Sequence, residues 1–229
     1  MSHSVRQIVV SIGGGHATGV VETGEEIKKS LDSIFPSTNV KVINLDILDP
    51  NKTRQYNYKD YDFDQVYKEI RGAGQKRSAV VGNVEPHGQD PVEIVLLCGC
   101  YALYDNKINE IVQLKVFLDS DGDKRLINLI HQEHITTREQ LAGLLTEYLD
   151  HLRQEMQKYI QPTRAQADLI IPSNFDTTAR AIIVDGICKI VEALKGNHSP
   201  LAISKVSPLL LDFETEAMDV EKERYYDLS

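Results

Sequence analysis

The sequence predicts an α/β protein with a mainly parallel β-sheet that is covered by helices on both faces. Short apolar runs recur along the 229 residues and alternate with segments of helical character. This alternation is typical of βαβ units, whose parallel strands lie between layers of helices. Hydrophobic residues make up 41% of the chain and charged residues 26%, so the chain can bury the core of one ordinary α/β domain.

Five apolar runs are the predicted strands of this sheet. They are rich in Val, Ile and Leu, as strands buried on both faces are. They span residues 7–12, 40–45, 93–98, 114–118 and 167–171. Between the second and third runs, glycines and prolines within residues 80–90 and at position 91 predict an exposed hairpin or loop.

Five further segments are predicted helices, and several of them directly follow a predicted strand. They span residues 20–34, 105–112, 124–131, 138–159 and 177–195. Parallel strands cannot be joined by tight turns, so helices between them supply the crossover connections that the sheet requires. The order of the elements therefore agrees with the predicted fold class.

A change of composition near residue 196 predicts a boundary. Residues 196–200 read GNHSP, which is typical of a linker, and from Asp212 onward seven acidic residues stand against two basic ones. We therefore expect residues 1–196 to form one domain and residues 197–229 to form a linker and a solvated acidic tail.

Charge and cysteine content exclude several classes of protein. A net charge of -9 argues against a nucleic-acid binder or an anionic-membrane binder, since either needs a basic face. Three cysteines, Cys98, Cys100 and Cys188, are too few for a disulfide framework. No leader-like or membrane-length apolar run stands out, so the expected location is the cytoplasm, with the nucleus as an additional compartment.

A glycine-rich segment, IGGGHATGVVETG at residues 12–24, follows the first predicted strand. Gly14 and Gly19 have the spacing of the Gly-x-x-x-x-Gly phosphate loop, whose backbone N–H groups and following helix N-terminus wrap a phosphate. Such a loop continues with a lysine and a hydroxyl residue, but Val20 and Val21 stand here. His16 is the only ionisable side chain between Gly14 and Gly19. On this segment alone, a glycine-rich turn without a ligand is the favoured interpretation.

Segments farther along the chain change that interpretation. Residues 116–126 read VFLDSDGDKRL, and residues 162–176 contain PT, ADLIIP and a final aspartate. Three further segments belong with these two: VINLD at 42–46, YNY at 56–58 and VLLCG at 95–99. On these segments the chain, from about residue 8 to residue 194, resembles the uridine/cytidine kinases of the phosphoribulokinase/uridine kinase group of P-loop proteins.

The resemblance implies a P-loop NTPase-type fold with about five parallel strands, flanking helices, a helical lid and a small β-hairpin over the nucleoside. It also implies transfer of the γ-phosphoryl group of ATP to the 5′-hydroxyl of uridine or cytidine, with ATP and Mg²⁺ as the expected cofactors. A nucleoside or nucleotide is the expected ligand. Two protein partners are compatible with the resemblance: a second copy of this chain and an active kinase.

The resemblance assigns roles to residues that match the family pattern. Asp46 corresponds to the catalytic base, although a loop or N-cap aspartate is the alternative interpretation without the family context. Arg125 belongs to the DxDxDxRL turn, and it could instead form an ion pair with Asp119 or Asp121. The other nucleotide-binding candidates are Gly14, Gly15, His16, Ala17, Thr18, Gly19, Val20, Val21 and Asp176. The other substrate-binding candidates are Tyr58, His87 and Arg138.

Several family positions have lost their chemistry. Val20 and Val21 replace the lysine and the magnesium hydroxyl, and Cys98 replaces the Walker-B acid. In addition, Leu129 and Gln132 stand at lid arginine positions, and Lys59 stands where an aspartate would hold the ribose. The sequence therefore predicts no protein-bound metal and an impaired or inactive phosphotransferase. A non-catalytic regulatory or binding protein and a weakly active uridine kinase are the alternatives.

Overall fold

A computed structural model describes residues 6–73, 92–173 and 177–194 of the chain. The predicted hairpin over residues 80–90, the predicted tail from residue 197, and the two candidates His87 and Asp176 lie outside the described residues.

The described residues form a five-stranded sheet in which every strand pair is parallel. The spatial order of the strands is β2-β3-β1-β4-β5. Their bounds are β1 (Arg6–Gly14), β2 (Asn39–Asn44), β3 (Val92–Cys98), β4 (Leu114–Asp119) and β5 (Leu169–Pro172). The predicted fold class is confirmed, and each predicted strand lies within a few residues of its observed position.

The central strand β1 shows why continuous apolar runs, rather than alternating apolar and polar residues, predict the strands of this sheet. Ile8, Val10 and Ile12 are completely buried in the cluster that packs against α1 (Val20–Ile34). Val9, which points to the opposite face, is buried in a second apolar cluster. Because helices cover both faces, the buried part of this strand, from Ile8 to Gly14, holds only apolar or small residues.

Helices fill the layers on either side of the sheet. The structure has α1 (Val20–Ile34), α2 (Phe63–Ala73), α3 (Asn106–Asn109), α4 (Gly122–Gln132), α5 (Arg138–Glu147), α6 (Arg153–Glu155) and α7 (Thr177–Leu194). The prediction for α1 is confirmed at both ends. The prediction of a helix over residues 105–112 was too long, because α3 has only four residues. Among the helices of the described residues, none is long and apolar enough to cross a membrane.

The helix α2 was not predicted from the sequence. Its apolar residues Phe63, Val66, Tyr67 and Ile70 have the i, i+3, i+4, i+7 spacing of an amphipathic helix. Ile70 is completely buried, and the other three pack against the same cluster as Val9. This spacing is the signal that would have identified the helix.

The segment predicted as one helix over residues 138–159 is helical throughout, but it is not a uniform α-helix. We call residues 138–160 the lid segment. It begins at α5, where Thr137 and Gln140 form a capping box. Two π-helical turns, Tyr148–Leu152 and Met156–Ile160, then flank α6. π-Helical turns are rare and concentrate at functional sites, so the position of α6 is of interest for the site.

Candidate functional site

The candidate site lies at the carboxyl edge of the sheet. Because all strands are parallel, the segments that follow Gly14, Asn44, Cys98 and Asp119 leave the sheet at this one edge. The strand β1 lies between β3 and β4, so the chain connections diverge to opposite sides of it. Ligands of open α/β sheets bind at such a switch point.

The glycine-rich segment forms a loop that runs directly into the N-terminus of α1. Gly19 is the N-cap residue and has a positive φ of 73°, and Ala17 also has a positive φ, 55°. Thr18 closes the loop on itself, since its Oγ1 donates to the carbonyl oxygen of Gly15 at 2.8 Å. The backbone therefore follows the course expected of a phosphate loop, with Val20 as the first helical residue.

Two neighbouring elements hold the loop by its carbonyl groups. Nδ2 of Asn128 on α4 donates to the carbonyl oxygen of Ala17 at 2.9 Å. Oγ of Ser173, just after β5, donates to the carbonyl oxygen of Thr18 at 2.5 Å. The carbonyl oxygens of Ala17 and Thr18 are thus paired with protein donors.

Neighbouring atoms approach closely at two glycines of the loop. A Cβ atom on Gly14 would lie 2.7 Å from Oγ1 of Thr18 and 3.0 Å from the carbonyl oxygen of Leu118. A Cβ atom on Gly15 would lie 2.7 Å from Cδ of Arg125 and 3.1 Å from Sδ of Met156. Two side chains, one from α4 and one from the lid segment, thus pack directly on the loop.

The positions at which the sequence analysis expects the loss of phosphate-binding and metal-binding chemistry are apolar and packed. Val20 is 4% exposed and belongs to the core, and Val21 packs against the same cluster. Cys98 is completely buried, and its sulfur occupies the space left by Gly24, where a Cβ would lie only 2.4 Å from Sγ. Burial raises the pKa of the Cys98 thiol far above its usual value, so the thiol stays protonated.

These positions do not fit a magnesium ion. Mg²⁺ takes oxygen ligands in octahedral geometry, and Val20, Val21 and a protonated Cys98 offer none. Within the described ranges, no group of three or more His, Cys, Asp or Glu side chains is arranged to hold a metal ion. We therefore derive no chemical step through a protein-bound metal.

Asp46 lies at the carboxyl edge, two residues after β2. Its Oδ1 accepts a hydrogen bond from the backbone N–H of Cys100 at 2.9 Å, and its Oδ2 lies 3.8 Å from Sγ of Cys100. A Cβ on Gly99 would come within 2.9 Å of Oδ1, so only glycine allows this approach. Asp46 caps no helix, because the next helical turn begins at Tyr58.

The carboxyl group of Asp46 is crowded by protein although the residue as a whole is exposed. Desolvation by the surrounding atoms raises its pKa, and the Cys100 N–H and the neighbouring His16 oppose that rise. A carboxylate in these surroundings is a stronger base than a free aspartate.

Glu155 is a site residue that the sequence analysis did not identify. Its side chain is completely buried, and its Oε1 accepts from the hydroxyl of Tyr101 at 2.9 Å. Its Oε2 accepts from Arg54 at 3.2 Å and lies 3.1 Å from Nε2 of His16. Burial works against its ionisation, but His16, Arg54 and Tyr101 outweigh it and lower the pKa of Glu155. Nδ1 of His16 lies 3.5 Å from Sγ of Cys100.

The sequence did carry a signal for Glu155. It stands three residues after Leu152, directly before Met156 and five residues before Ile160, all of which are buried. A charged residue on the apolar face of a helix is rarely buried without a partner. The partners His16, Arg54 and Tyr101 come from three distant parts of the chain, so the sequence could indicate the anomaly without its explanation.

The predicted substrate residue Tyr58 belongs to a cluster of aromatic rings. Its ring stacks on Tyr104 with a centroid distance of 5.2 Å and meets the edge of Tyr159 at 5.8 Å. Tyr61 lies against Tyr101 in the same cluster, with 4.6 Å between ring centroids. Tyr101 links this cluster to Glu155, because its hydroxyl donates to Oε1 of that side chain.

The predicted arginines have different surroundings. Arg125 is 9% exposed and donates to the carbonyl oxygen of Ser120 at 2.5 Å. Of the two ion-pair partners that the sequence suggested for it, Asp119 pairs with Arg164 at 3.3 Å and Asp121 with Lys124 at 3.9 Å. Arg138 is exposed at the first position of α5. The structure thus brings His16, Asp46 and Arg125 to the loop region and leaves Arg138 open to solvent.

Comparison with known proteins agrees with this geometry. The family model described as "Phosphoribulokinase / Uridine kinase family" matches residues 9–179. The chain is 50% identical to the Saccharomyces cerevisiae protein named "Putative uridine kinase DAS2" over 230 residues, which is 98% of this chain and 97% of that protein. It is 30% identical to the uridine kinase of Lactococcus lactis over 100 residues, 44% of this chain and 48% of that enzyme.

A solved structure shows the same fold at low identity. It is titled "Crystal structure of putative fructose transport system kinase from Silicibacter sp. TM1040", and it superimposes with a TM-score of 0.52 at 15% identity. The match covers 73% of this chain and 90% of that one. Taken with the family match over most of the described residues, these findings show that the chain belongs to the phosphoribulokinase/uridine kinase family.

Proposed function

We propose that this chain is a uridine-kinase-like protein that binds a nucleoside or nucleotide at the carboxyl edge of its sheet and transfers phosphoryl groups poorly or not at all. The family reaction is the ATP-dependent 5′-phosphorylation of uridine or cytidine. We place this protein in the cytoplasm, in the context of pyrimidine nucleoside salvage, where its role is to bind ligand rather than to turn it over.

One observation carries this proposal: the positions that should hold charge and metal are built into the apolar core. Val20 and Cys98 belong to the same buried cluster, and Gly24 provides the space for the Cys98 sulfur. A single charge-stabilising contact in a transition state contributes about a hundred- to thousandfold in rate. The loss of a lysine, a magnesium hydroxyl and an acid together leaves little catalysis, even though such effects are not additive.

An assay of phosphoryl transfer tests the proposal. We expect the purified protein to convert uridine or cytidine to the monophosphate only at trace level in the presence of ATP and Mg²⁺. Thermal shifts with ATP, uridine and UTP should show ligand binding in the same preparation. A turnover number in the ordinary kinase range of about 1–100 s⁻¹ that Asp46→Asn abolishes would overturn the proposal.

A weakly active uridine kinase is the second candidate, and the surroundings of Asp46 favour it. Its pKa is raised by desolvation, and its Oδ1 is held by the Cys100 N–H. A positioned base with a raised pKa is what an acceptor hydroxyl requires. A low rate that depends on Asp46 would support this second candidate over a purely binding role.

A further inference from the structure

We infer that Glu155 is a latch: its buried carboxylate holds the lid segment closed against the loops at the carboxyl edge, and a ligand reaches that edge only when this contact breaks. The latch itself is a property of the ligand-free protein. Its effect on ligand access rests on the proposed binding of a nucleoside or nucleotide, so closure and access are measured separately.

The latch joins the lid segment to three loops at once. Glu155 is the last residue of α6. Its partners come from the segments that follow three adjacent strands: His16 after β1, Arg54 after β2 and Tyr101 after β3. One carboxylate therefore fixes the lid segment across half of the carboxyl edge.

Charge explains why this contact holds the lid segment in place. The side chain of Glu155 is completely buried, and a buried carboxylate is stable only with partners that compensate its charge. Burial disfavours the ionised form, but the contacts with His16, Arg54 and Tyr101 outweigh burial and lower the pKa of Glu155. Removal of one partner from such a set leaves a buried charge without its counterpart, so the closed arrangement depends on all of its members.

Apolar contacts of the lid segment complete the closure. A Cβ atom on Gly15 would lie 3.1 Å from Sδ of Met156, so the lid segment packs directly on the loop before α1. Met156 and Ile160 also share a buried apolar cluster with Cys100, whose sulfur lies 3.5 Å from Nδ1 of His16. The closed lid segment therefore covers both this loop and the Cys100 thiol.

A second contact with the lid segment is made by a residue with a strained backbone. Tyr56 has a positive φ of 54°, in the left-handed region that bulky residues rarely adopt. Its ring stacks on His151 with a centroid distance of 4.4 Å, and its hydroxyl donates to Glu147 at 3.0 Å. Arg54 lies over the same ring, 4.6 Å from its centroid. Strained residues persist only where neighbouring contacts hold them, and they concentrate at ligand clamps and switches.

Two features of the closed arrangement favour opening. Nε of Arg54 is buried and has no hydrogen-bond acceptor in the part of the chain that the structure describes, which is costly. Glu155 itself lies between two π-helical turns, Tyr148–Leu152 and Met156–Ile160, and such turns concentrate at functional sites. A compensated charge thus holds the lid segment closed against strain and an unsatisfied donor, as expected of an element with two states.

The alternative is that Glu155 only stabilises the fold as a whole, and two cysteines distinguish these roles. Cys98 lies in the cluster that packs against α1, whereas Cys100 lies in the cluster that the lid segment covers. Opening of the lid segment exposes Cys100 alone, and global unfolding exposes both thiols.

The test is labelling of the native full-length protein with N-ethylmaleimide at neutral pH, with tandem mass spectrometry to measure the rate at each cysteine. The wild type is compared with Glu155→Gln and Arg54→Gln. The matched control is Glu139→Gln, because Glu139 is an exposed carboxylate of the same lid segment. Cys188 on α7 is only partly buried, and its labelling shows that the reagent is active.

We expect Glu155→Gln and Arg54→Gln to raise the labelling rate of Cys100 at least about tenfold, which corresponds to about 1.4 kcal/mol. Cys98 should stay protected in both variants, and Glu139→Gln should label as the wild type does. If Glu155→Gln does not fold, Arg54→Gln decides, because the Arg54 side chain is 31% exposed and its loss leaves the apolar clusters intact.

The two variants also separate opening of the lid segment from a change in thiol reactivity. Burial is the main reason that the pKa of Cys100 is raised, and the charge of Glu155 adds to that rise whereas the charge of Arg54 opposes it. The two substitutions therefore shift the reactivity of the thiol in opposite directions. Faster labelling in both reflects opening.

Ligand access is measured with uridine, which carries no charge, so the substitutions have little direct electrostatic effect on its binding. Calorimetric titration should show that Glu155→Gln binds uridine at least about tenfold more tightly than the wild type. The reason is that the apparent affinity is reduced in proportion to the fraction of protein that is closed to the ligand.

Two labelling results would overturn the latch. One is a Cys100 rate in both variants equal to that of the wild type, and the other is an equal rise at Cys98 and Cys100, which indicates loss of global stability. Unchanged uridine affinity in a variant with faster Cys100 labelling would overturn its role in access. If neither uridine nor ATP raises the melting temperature of any of these proteins, the proposed function is wrong, and Cys100 labelling still decides whether the latch exists.

Discussion

Pairs of residues that lie far apart in the sequence fit one another at the site. The most compact pair is Gly24 on α1 and Cys98 at the end of β3, because the sulfur fills the space that a side chain at position 24 would need. Cys98, at the position where the resemblance expects the Walker-B acid, is accommodated in the core. Such a fit indicates a stable apolar packing at this position rather than an empty metal site.

A double-mutant cycle tests this fit at the residue scale. Gly24→Ala should destabilise the wild type by about 1–3 kcal/mol, because the new Cβ overpacks the core against the sulfur. In a Cys98→Ala background the same change should stabilise by up to about 1 kcal/mol, since alanine favours the helix over glycine. Urea denaturation of the four proteins measures the coupling. Effects of Gly24→Ala that agree within about 0.5 kcal/mol in both backgrounds would contradict the proposed contact.

Asp46 and Glu155 show what the sequence can and cannot identify at this scale. Asp46 follows the end of an apolar strand. In a parallel sheet this position alone places it at the carboxyl edge. Glu155 acquires its role only through His16, Arg54 and Tyr101, which come from three distant parts of the chain. No local pattern encodes such a set, and this is why the buried carboxylate was missed.

Among the elements, the strands and α1 could be predicted because their apolar patterns are long and are bounded by polar or glycine-rich segments. The lid segment was predicted as one helix, but the register shifts at its two π-helical turns depend on tertiary packing and leave no mark in the apolar spacing. The short α3 was overestimated because Ile108 and Val112 are buried and have helical spacing, although the helix ends at Asn109.

The loop between β1 and α1 is the element on which the proposed binding depends. We expect Val20→Lys with Val21→Ser to raise ATP affinity by at least about tenfold, or about 1.4 kcal/mol. The helix begins at Val20, so a lysine there is at the position from which it reaches phosphates in intact loops. Without ligand the variant should lose stability, because Val20 is buried in the core and a charge there lacks a partner.

The matched control is Val20→Met with Val21→Ser, which lengthens the side chain without adding charge and should give no gain in affinity. Full kinase activity should not return in the lysine variant, because Cys98 and Leu129 still lack the chemistry of the metal site and the lid. If the lysine variant folds but its ATP affinity does not rise, the loop does not bind phosphate at the helix N-terminus. The segment is then only a turn.

The molecule as a whole keeps the architecture of its family, and several of its expected site positions hold buried apolar side chains. Fold and function are separable in this way, because the core specifies the sheet and a handful of edge residues specify the reaction. The fold could be predicted from the sequence since it depends on many apolar positions that agree with one another. The candidate site could be predicted only where strand ends and motif spacing fix it, and its new contacts required the three-dimensional arrangement.

The last prediction concerns the boundary of the domain. The helix α7 is the last described element. Its residues Ile183, Ile187 and Val191 are buried in the apolar cluster that packs against α1, so the described core ends at Leu194. A protein that ends at residue 196 should therefore unfold cooperatively, with a melting temperature within about 4 °C of the full chain, which corresponds to roughly 1 kcal/mol. Its thermal shift with ATP should match that of the full chain. Full-length Ile187→Ala is the control, because deletion of a buried isoleucine side chain should cost about 2–5 kcal/mol and show that the assay detects damage to the core. A truncated protein that melts as early as this control would place part of the stabilising core beyond residue 196 and would move the domain boundary toward the C-terminus.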